Sequence, residues 1–175
     1  ALKWSLAWAS DSQTVFFVRG DQAQRPYKIC RWRITEPAET EEEVYHEPDE
    51  RFFLGVSTTR DRAWVALRAQ SNQTSETHVI NAQRPQEAPR MVLPRAHAVE
   101  YHLTHRHGTF YLRTNAENST NFKVVCLPAD GSSQEVVEWV AHDPETMITS
   151  VDTFHGHIVL HERSGGLPQL RIVDM

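Results

Sequence analysis

TVFFVRG at residues 14–20, AWVALRA at 63–69, TFYLRTN at 109–115 and HIVLHER at 157–163 are four versions of one segment. Each is a short run rich in branched and aromatic residues, and each follows a polar stretch. Their first residues stand 49, 46 and 48 positions apart, so the chain repeats with a period of about 47 residues. The runs just before them keep the same step: SLAWAS begins at Ser5, FFLGVS at Phe52, EYHLTH at Glu100 and MITSVD at Met147. Third runs follow from Tyr27 (YKICRWR), Glu76 (ETHVINA), Asn121 (NFKVVCLP) and Gln169 (QLRIVDM). Fourth runs come at EVYHE, RMVLPR and VEWVAH, and only the last unit lacks one.

Runs of this length and composition, bounded by Gly, Pro, Asn, Asp and Ser, read as strands. The polar connectors SDSQ, TTRDR, HRHG and TFHG suit β-hairpins. Four antiparallel strands per unit, repeated every 40 to 50 residues, are the pattern of propeller blades. A β-sandwich also spaces its strands evenly, but it gives no reason for consecutive units to match strand for strand. The sequence therefore predicts an all-β chain, a partial β-propeller of about four blades of four antiparallel strands with the last incomplete. The expected blade limits are 1–50, 51–97, 98–145 and 146–175.

Composition agrees and excludes other classes. The chain has 175 residues, 39% of them hydrophobic and 23% charged, which is ordinary for a globular protein and outside the disordered range. A chain of this size can bury about 70% of the surface its unfolded form exposes. No run approaches the length of a membrane helix, and the N-terminal residues lack the parts of a signal peptide. A net charge of −5 with scattered basic residues argues against a nucleic-acid surface. Cys30 and Cys126 sit in apolar runs as small buried hydrophobes, which points to a reducing, cytoplasmic setting. The sequons at Asn72 and Asn118 stand without a secretory signal and are discounted.

No G-x-S-x-G, H-E-x-x-H, P-loop, Rossmann glycine pattern or C-x-x-C occurs, so no catalytic residue, cofactor or metal site is assigned. Among the ten histidines, His105 with His107 and His155 with His157 lie two apart, which on a strand would place each pair on one face. Both pairs fall at hairpin turns without a third ligand, and solvated turn histidines are the plainer reading. The acidic stretch from Glu36 to Glu50 joins the first unit to the second. Its EEE portion, Glu41 to Glu43, reads as a solvated loop. Glu47, Asp49 and Glu50 fall where the outermost strand of one blade crosses to the innermost strand of the next, a position suited to steering cationic ligands or to contact with another domain.

Six landmarks carry a resemblance: RPYK from Arg25, VYHEPDERF from Val44, SNQTSETHVINA from Ser71, VEYHLTH from Val99, LRTNAENSTNFKVV from Leu112 and ERSGGLPQLRI from Glu162. In this order and spacing the chain resembles, over nearly its whole length, the propeller domain of the prolyl oligopeptidase family of serine peptidases, most closely its oligopeptidase B branch. The resemblance implies a seven-bladed propeller capping an α/β-hydrolase domain that carries a Ser, Asp and His triad. It also implies a propeller that admits only short peptides and, in that branch, cleavage after Lys or Arg. The expected partners are then short basic peptides and the hydrolase domain of the same parent chain, with no nucleic acid and no membrane. One departure is visible, since the family commonly has a His after the RP segment where this chain reads Cys30-Arg31-Trp32-Arg33.

Two other readings stay open at this point. The chain could act as a stand-alone peptide-binding module assembled as a dimer, or belong to a relative that has lost activity. An incomplete ring leaves sheet faces and a strand edge uncovered, which invites pairing between chains. The isolated chain is accordingly expected to self-associate, and light scattering that finds only a compact monomer at high concentration would refute this.

Overall fold

A computed structural model describes residues 5–174, and apart from one short 3-10 turn at Ala38–Thr40 every regular element in it is a strand. Four antiparallel sheets are formed, each from strands consecutive in sequence and paired in sequence order. The first holds β1 (Leu6–Trp8), β2 (Thr14–Gly20), β3 (Pro26–Arg33) and β4 (Glu42–His46). The second holds β5 (Phe53–Thr58), β6 (Trp64–Gln70), β7 (Ser75–Asn81) and β8 (Arg90–Met91). The third holds β9 (Tyr101–Arg106), β10 (Thr109–Thr114), β11 (Lys123–Pro128) and β12 (Val137–Val140). The fourth has β13 (Thr146–Thr153), β14 (His157–Ser164) and β15 (Leu167–Asp174). This is the all-β, partial-propeller architecture expected from the repeat. The final Met175 of the run QLRIVDM lies outside the described residues. Among the described residues no helix is long and apolar enough to cross a membrane.

The turns explain themselves chemically. Arg106 pairs with Thr109 and Ser164 with Leu167, so His107-Gly108 and Gly165-Gly166 are two-residue hairpin loops. All four residues have positive φ, between 46° and 80°, as a type I′ turn demands. In the SDSQ turn the Asp11 carboxylate accepts the amides of Gln13 and Thr14 at 2.9 and 2.8 Å, a local cap that replaces glycine. The fourth run of the second unit, RMVLPR, yields only the two-residue β8. Pro89 and Pro94 bracket it, and a proline has no amide to give to a ladder.

The chain divides after Ala98 into two compact units. In the first, the two sheets meet through an apolar layer in which Phe16, Val18 and Ile29 of one sheet pack with Leu54, Val56, Val65, Leu67 and Ile80 of the other. The alternation of β6, with Val65, Leu67 and Ala69 buried and the residues between them only partly covered, aims one face at this layer. β2 is buried on both faces, because Val15 and Phe17 form a second cluster with Cys30 on the opposite side. In the second unit, Tyr111 and Val124 of the third sheet pack with Ile148, Val151, Ile158 and Leu160 of the fourth. Cys30 and Cys126 are free thiols, and burial pushes both above the ordinary thiol value, so neither is an activated nucleophile.

The acidic run Glu41–Glu43 is solvated at Glu42 and Glu43 as expected, but it enters a strand and is not a loop. Glu42 and Glu43 belong to β4, and the three carboxylates pair in turn with Arg19, with Arg31 at 2.6 Å and with Lys28 at 2.6 Å. A strand at the outer edge of a sheet discourages pairing with other chains by carrying charge, and the basic residues of β2 and β3 meet that charge.

Replacing Phe16, which is fully buried, by alanine should destabilise the chain by about 3–5 kcal/mol in urea unfolding. Leu170→Ala on the exposed β15 should change stability by less than about 0.5 kcal/mol.

Candidate functional site

The crossover from β4 to β5 has six residues, 47–52, in which to carry the chain from the outer edge of one sheet to the inner strand of the next. So tight a path turns carbonyls inward, and Arg25 satisfies them. Its Nη1 donates to the carbonyls of Asp49 and Phe52 at 3.0 and 3.3 Å, and its Nη2 donates to that of Glu47 at 3.3 Å. Asp21 holds this guanidinium from behind at 3.3 Å.

Glu47, only 2% exposed, is the centre of a charged network. One carboxylate oxygen accepts the Asp49 amide at 3.0 Å and the other accepts Arg95 Nη2 at 2.6 Å. Arg95 reaches Glu76 as well, with Nε to Oε2 and Nη2 to Oε1 both at 3.2 Å, while Tyr45 donates its hydroxyl to Glu76 Oε1 at 3.1 Å. The Arg95 guanidinium lies 4.0 Å from the centre of the Phe52 ring. Two carboxylates thus share one guanidinium. His78 Nδ1 stands 3.7 Å from Glu76 Oε1.

The protonation states follow from these contacts. Burial pushes the Glu76 carboxyl up, but the hydrogen bonds and charge of Arg95 outweigh it and hold the group below its ordinary value. Burial lowers His78, only partly opposed by the Glu76 charge, so the ring is neutral near pH 7. Tyr45 is raised by burial and by the two carboxylates, which keeps its proton available for donation. Arg95 is raised because its hydrogen bonds to Glu76 and Glu47 overcome the cost of burial.

Arg95 and Phe52 form one wall of an open cleft of about 620 Å³, completed by Asp49, Arg51, Phe53, His97 and the hairpin turn Ser71–Thr74. The topology explains this company. In a sheet with strands in the order 1-2-3-4, the hairpin between the second and third strands lies at the same end as the crossovers entering and leaving the sheet. Asp49 is held down at about 2 by the guanidinium and amide of Arg51, at 2.7 to 3.1 Å.

The three acidic residues singled out from the sequence therefore sit together at the crossover but in different states. Glu47 is buried and bound to Arg95, Asp49 is bound to Arg51, and Glu50 is exposed. The sequence reading missed Arg95, Glu76 and Arg25. A search for cations to balance a carboxylate in an apolar crossover would have found Arg25 in RPYK and Arg95 in RMVLPR, but nothing marks Glu76 in advance. The histidine pairs also differ from expectation. His105 is buried in β9 and packs edge-on to Phe110, with ring centres 5.4 Å apart, so it is no solvated turn residue. His107 lies in the turn, where strand alternation has ended, and it does not share a face with His105. Among the described residues no group of three or more His, Cys, Asp or Glu side chains converges as a metal site would.

Comparison with known proteins places this geometry. The family model described as prolyl oligopeptidase, N-terminal beta-propeller domain, matches residues 1–175. The chain belongs to this family. Members of the prolyl oligopeptidase family are serine peptidases, and similar relatives include the dipeptidyl aminopeptidase BI of Pseudoxanthomonas mexicana, 31% identical over 97% of this chain and 24% of its own length. Protease 2 of Moraxella lacunata is 25% identical over 97% of this chain and 24% of its own. Among solved structures, oligopeptidase B from Leishmania major superposes with a TM-score of 0.89 at 20% identity, covering 97% of this chain and 24% of that one. Oligopeptidase B from Trypanosoma brucei, with covalently bound antipain, gives 0.86 at 27% identity over the same shares. The prolyl oligopeptidase propeller segment described here thus spans about a quarter of the length of the relatives it matches.

Arg95→Met removes the cation shared by Glu47 and Glu76 and should cost about 3 kcal/mol, only partly recovered in the Glu47→Gln/Arg95→Met double variant because Glu76 keeps its charge, as measured by urea unfolding. Stability should also fall with acid. His78 lies below its ordinary 6.5 in the folded chain, so unfolding takes up a proton as the pH drops through 6.5. Glu76, held below its ordinary 4.5, adds a second loss beneath that value. A thermal midpoint level from pH 8 to 5 would refute the His78 assignment, and one level from pH 5 to 3 would refute that of Glu76.

Proposed function

We propose that this chain is the substrate-gating propeller segment of a serine oligopeptidase whose full-length form hydrolyses short peptides after Lys or Arg. The observation that carries the reading is the match of all 175 residues to the propeller domain of this peptidase family. The specificity rests on the landmarks from RPYK to ERSGGLPQLRI and on the likeness to oligopeptidase B structures, one of them 27% identical. In this reading the triad lies in the hydrolase domain of the same parent chain, and the 175-residue segment is inert alone. The parent acts in the cytoplasm, in keeping with two free thiols. The cleft beside the 47–52 crossover is where a passing peptide meets aromatic and polar groups. Glu50 supplies steering for basic peptides, while Glu47 and Asp49 hold the crossover in shape.

A second reading has one observation in its favour. The relative at 31% identity is a dipeptidyl aminopeptidase, which suggests removal of dipeptides from free N-termini in place of internal cleavage.

The test is made on the parent protein. The reading frame should supply G-x-S-x-G followed by Asp and His, and the purified enzyme should cleave N-terminally blocked peptides after Arg while refusing folded proteins. Cleavage confined to unblocked substrates would establish the aminopeptidase reading. An absent or replaced serine, with no hydrolysis of either set, would overturn both. Glu50→Lys should reduce kcat/KM for basic peptides and flatten its salt dependence.

A further inference from the structure

Asp49 carries a carboxylate whose backbone is held from behind and whose acceptor face is already filled from in front. Its amide donates to Glu47 Oε1 at 3.0 Å, and its carbonyl accepts Arg25 Nη1 and the Phe52 amide, both at 3.0 Å. That backbone is therefore fixed without the Arg51 side chain. The Arg51 side chain is 81% exposed, yet it closes on Asp49 as a fork, with Nε to Oδ1 at 3.0 Å and Nη2 to Oδ2 at 2.7 Å. Among the described residues this guanidinium meets no other acceptor. An exposed pair of this kind shifts an equilibrium by no more than about fivefold, because ordering a long side chain opposes it and water competes. The position is occupied by a guanidinium that is easily exchanged.

We propose that the cleft beside the 47–52 crossover binds the guanidinium of an arginine in a peptide, with Asp49 as its carboxylate and Phe53 as its ring wall, and that Arg51 is a built-in competitor which the peptide displaces. The inference rests on the basic-peptide reading above and names the residues of this chain that meet such a peptide. Asp49 and Phe53 both line the cleft, and Phe53 is 55% exposed. A fixed carboxylate beside an open ring face offers the two contacts a guanidinium takes, a planar pair of acceptors and a π-surface. Three carboxylates of the cluster, Glu47, Asp49 and Glu76, stand against two guanidiniums, Arg51 and Arg95, so the surroundings stay negative even with Arg51 in place. When the Arg51 side chain swings out, its backbone amide still donates to Asp49 Oδ1 at 3.0 Å, and the crossover keeps its turn. A lysine brings the charge without the paired hydrogen bonds, so arginine is preferred.

The experiment titrates the 175-residue chain with the blocked tripeptide acetyl-Ala-Arg-Ala-amide and, separately, with its uncharged citrulline counterpart, reading the side-chain amides of Asn72 and Gln73, which line the cleft, by NMR. The arginine peptide should shift both amides, and the citrulline peptide should bind roughly tenfold more weakly or less. Arg51→Ala should tighten the arginine peptide about threefold to fivefold, the gain expected when an exposed competing pair is removed. Asp49→Asn should weaken it by about tenfold, and Phe53→Ala by about threefold. Arg62→Gln removes the same charge outside the cleft and should change binding by less than about twofold. Thermal midpoints report the fold of each variant. Should Asp49→Asn lower its midpoint, the Arg51→Ala and citrulline comparisons decide, since both leave Asp49 intact. Equal binding of the two peptides, or an Arg51→Ala chain that binds no more tightly, would overturn the proposal. The assay involves no hydrolysis, so a parent that fails to cleave after Arg would refute the peptidase specificity and leave this result standing.

Discussion

Side chains leave a strand alternately from its two faces, so a sheet whose central strand is apolar on both sides must be covered twice. β2 states this constraint most sharply. Phe16 and Val18 go to the layer shared with the second sheet, while Val15 and Phe17 go to the other face with Cys30. Burying a side chain of this size contributes about 1.5–3 kcal/mol, far more than any single surface contact in the chain. Stacking sheets face to face answers the demand, and it dictates everything that joins them. Each crossover has to run from an outer edge to an inner strand, and it does so at the end of the sheet that also carries the hairpin between second and third strands.

That obligation turns part of the connecting backbone inward, at the buried residues Glu47 and Phe52. The 47–52 crossover is short, and without Arg25 the carbonyls of Glu47 and Phe52 would lose this donor, while that of Asp49 would keep only the Phe52 amide. Arg95 repeats the solution with side-chain acceptors, holding Glu47 and Glu76 together beneath Phe52. A buried ion network of this kind contributes less net stability than apolar packing of the same volume. What it adds is geometry, since a guanidinium with two fixed carboxylates and a ring face permits one arrangement of the crossover. The cleft beside it shares that wall, and the gating role proposed for the segment would call for a wall held in this way.

The architecture was legible because periodicity survives averaging. Four segments that begin at Thr14, Ala63, Thr109 and His157 reveal the repeat even though they share almost no identical residues, because burial asks only for apolar character at alternate positions. The site was less legible because its members are far apart in sequence. Glu47 could be singled out by its place at a blade junction, but its burial on Arg95 could not, since the two lie 48 residues apart. Local charge patterns were incomplete for the same reason. Glu42 and Glu43 are solvated as their run suggested, but nothing local announced that β3 and β2 would bring Arg31, Lys28 and Arg19 alongside the three carboxylates. The histidines show the limit of alternation, which held through His105 in β9 and failed one turn later, when His107 entered the left-handed region.

These differences sort by location. The strands obey the repeat because their burial leaves little freedom, while turns and crossovers at the ends of the sheets are free to carry polar groups. Within the second unit the end that bears the 107–108 and 154–156 turns presents imidazoles, while the opposite end bears a cleft lined by Trp139, His142, Glu162 and Arg171. A scaffold that keeps its faces for stability has only its rims left for recognition. Selection on a propeller segment can therefore change what passes or binds at either rim without disturbing the layers that hold the sheets together. The gating role proposed for this segment would draw on that property.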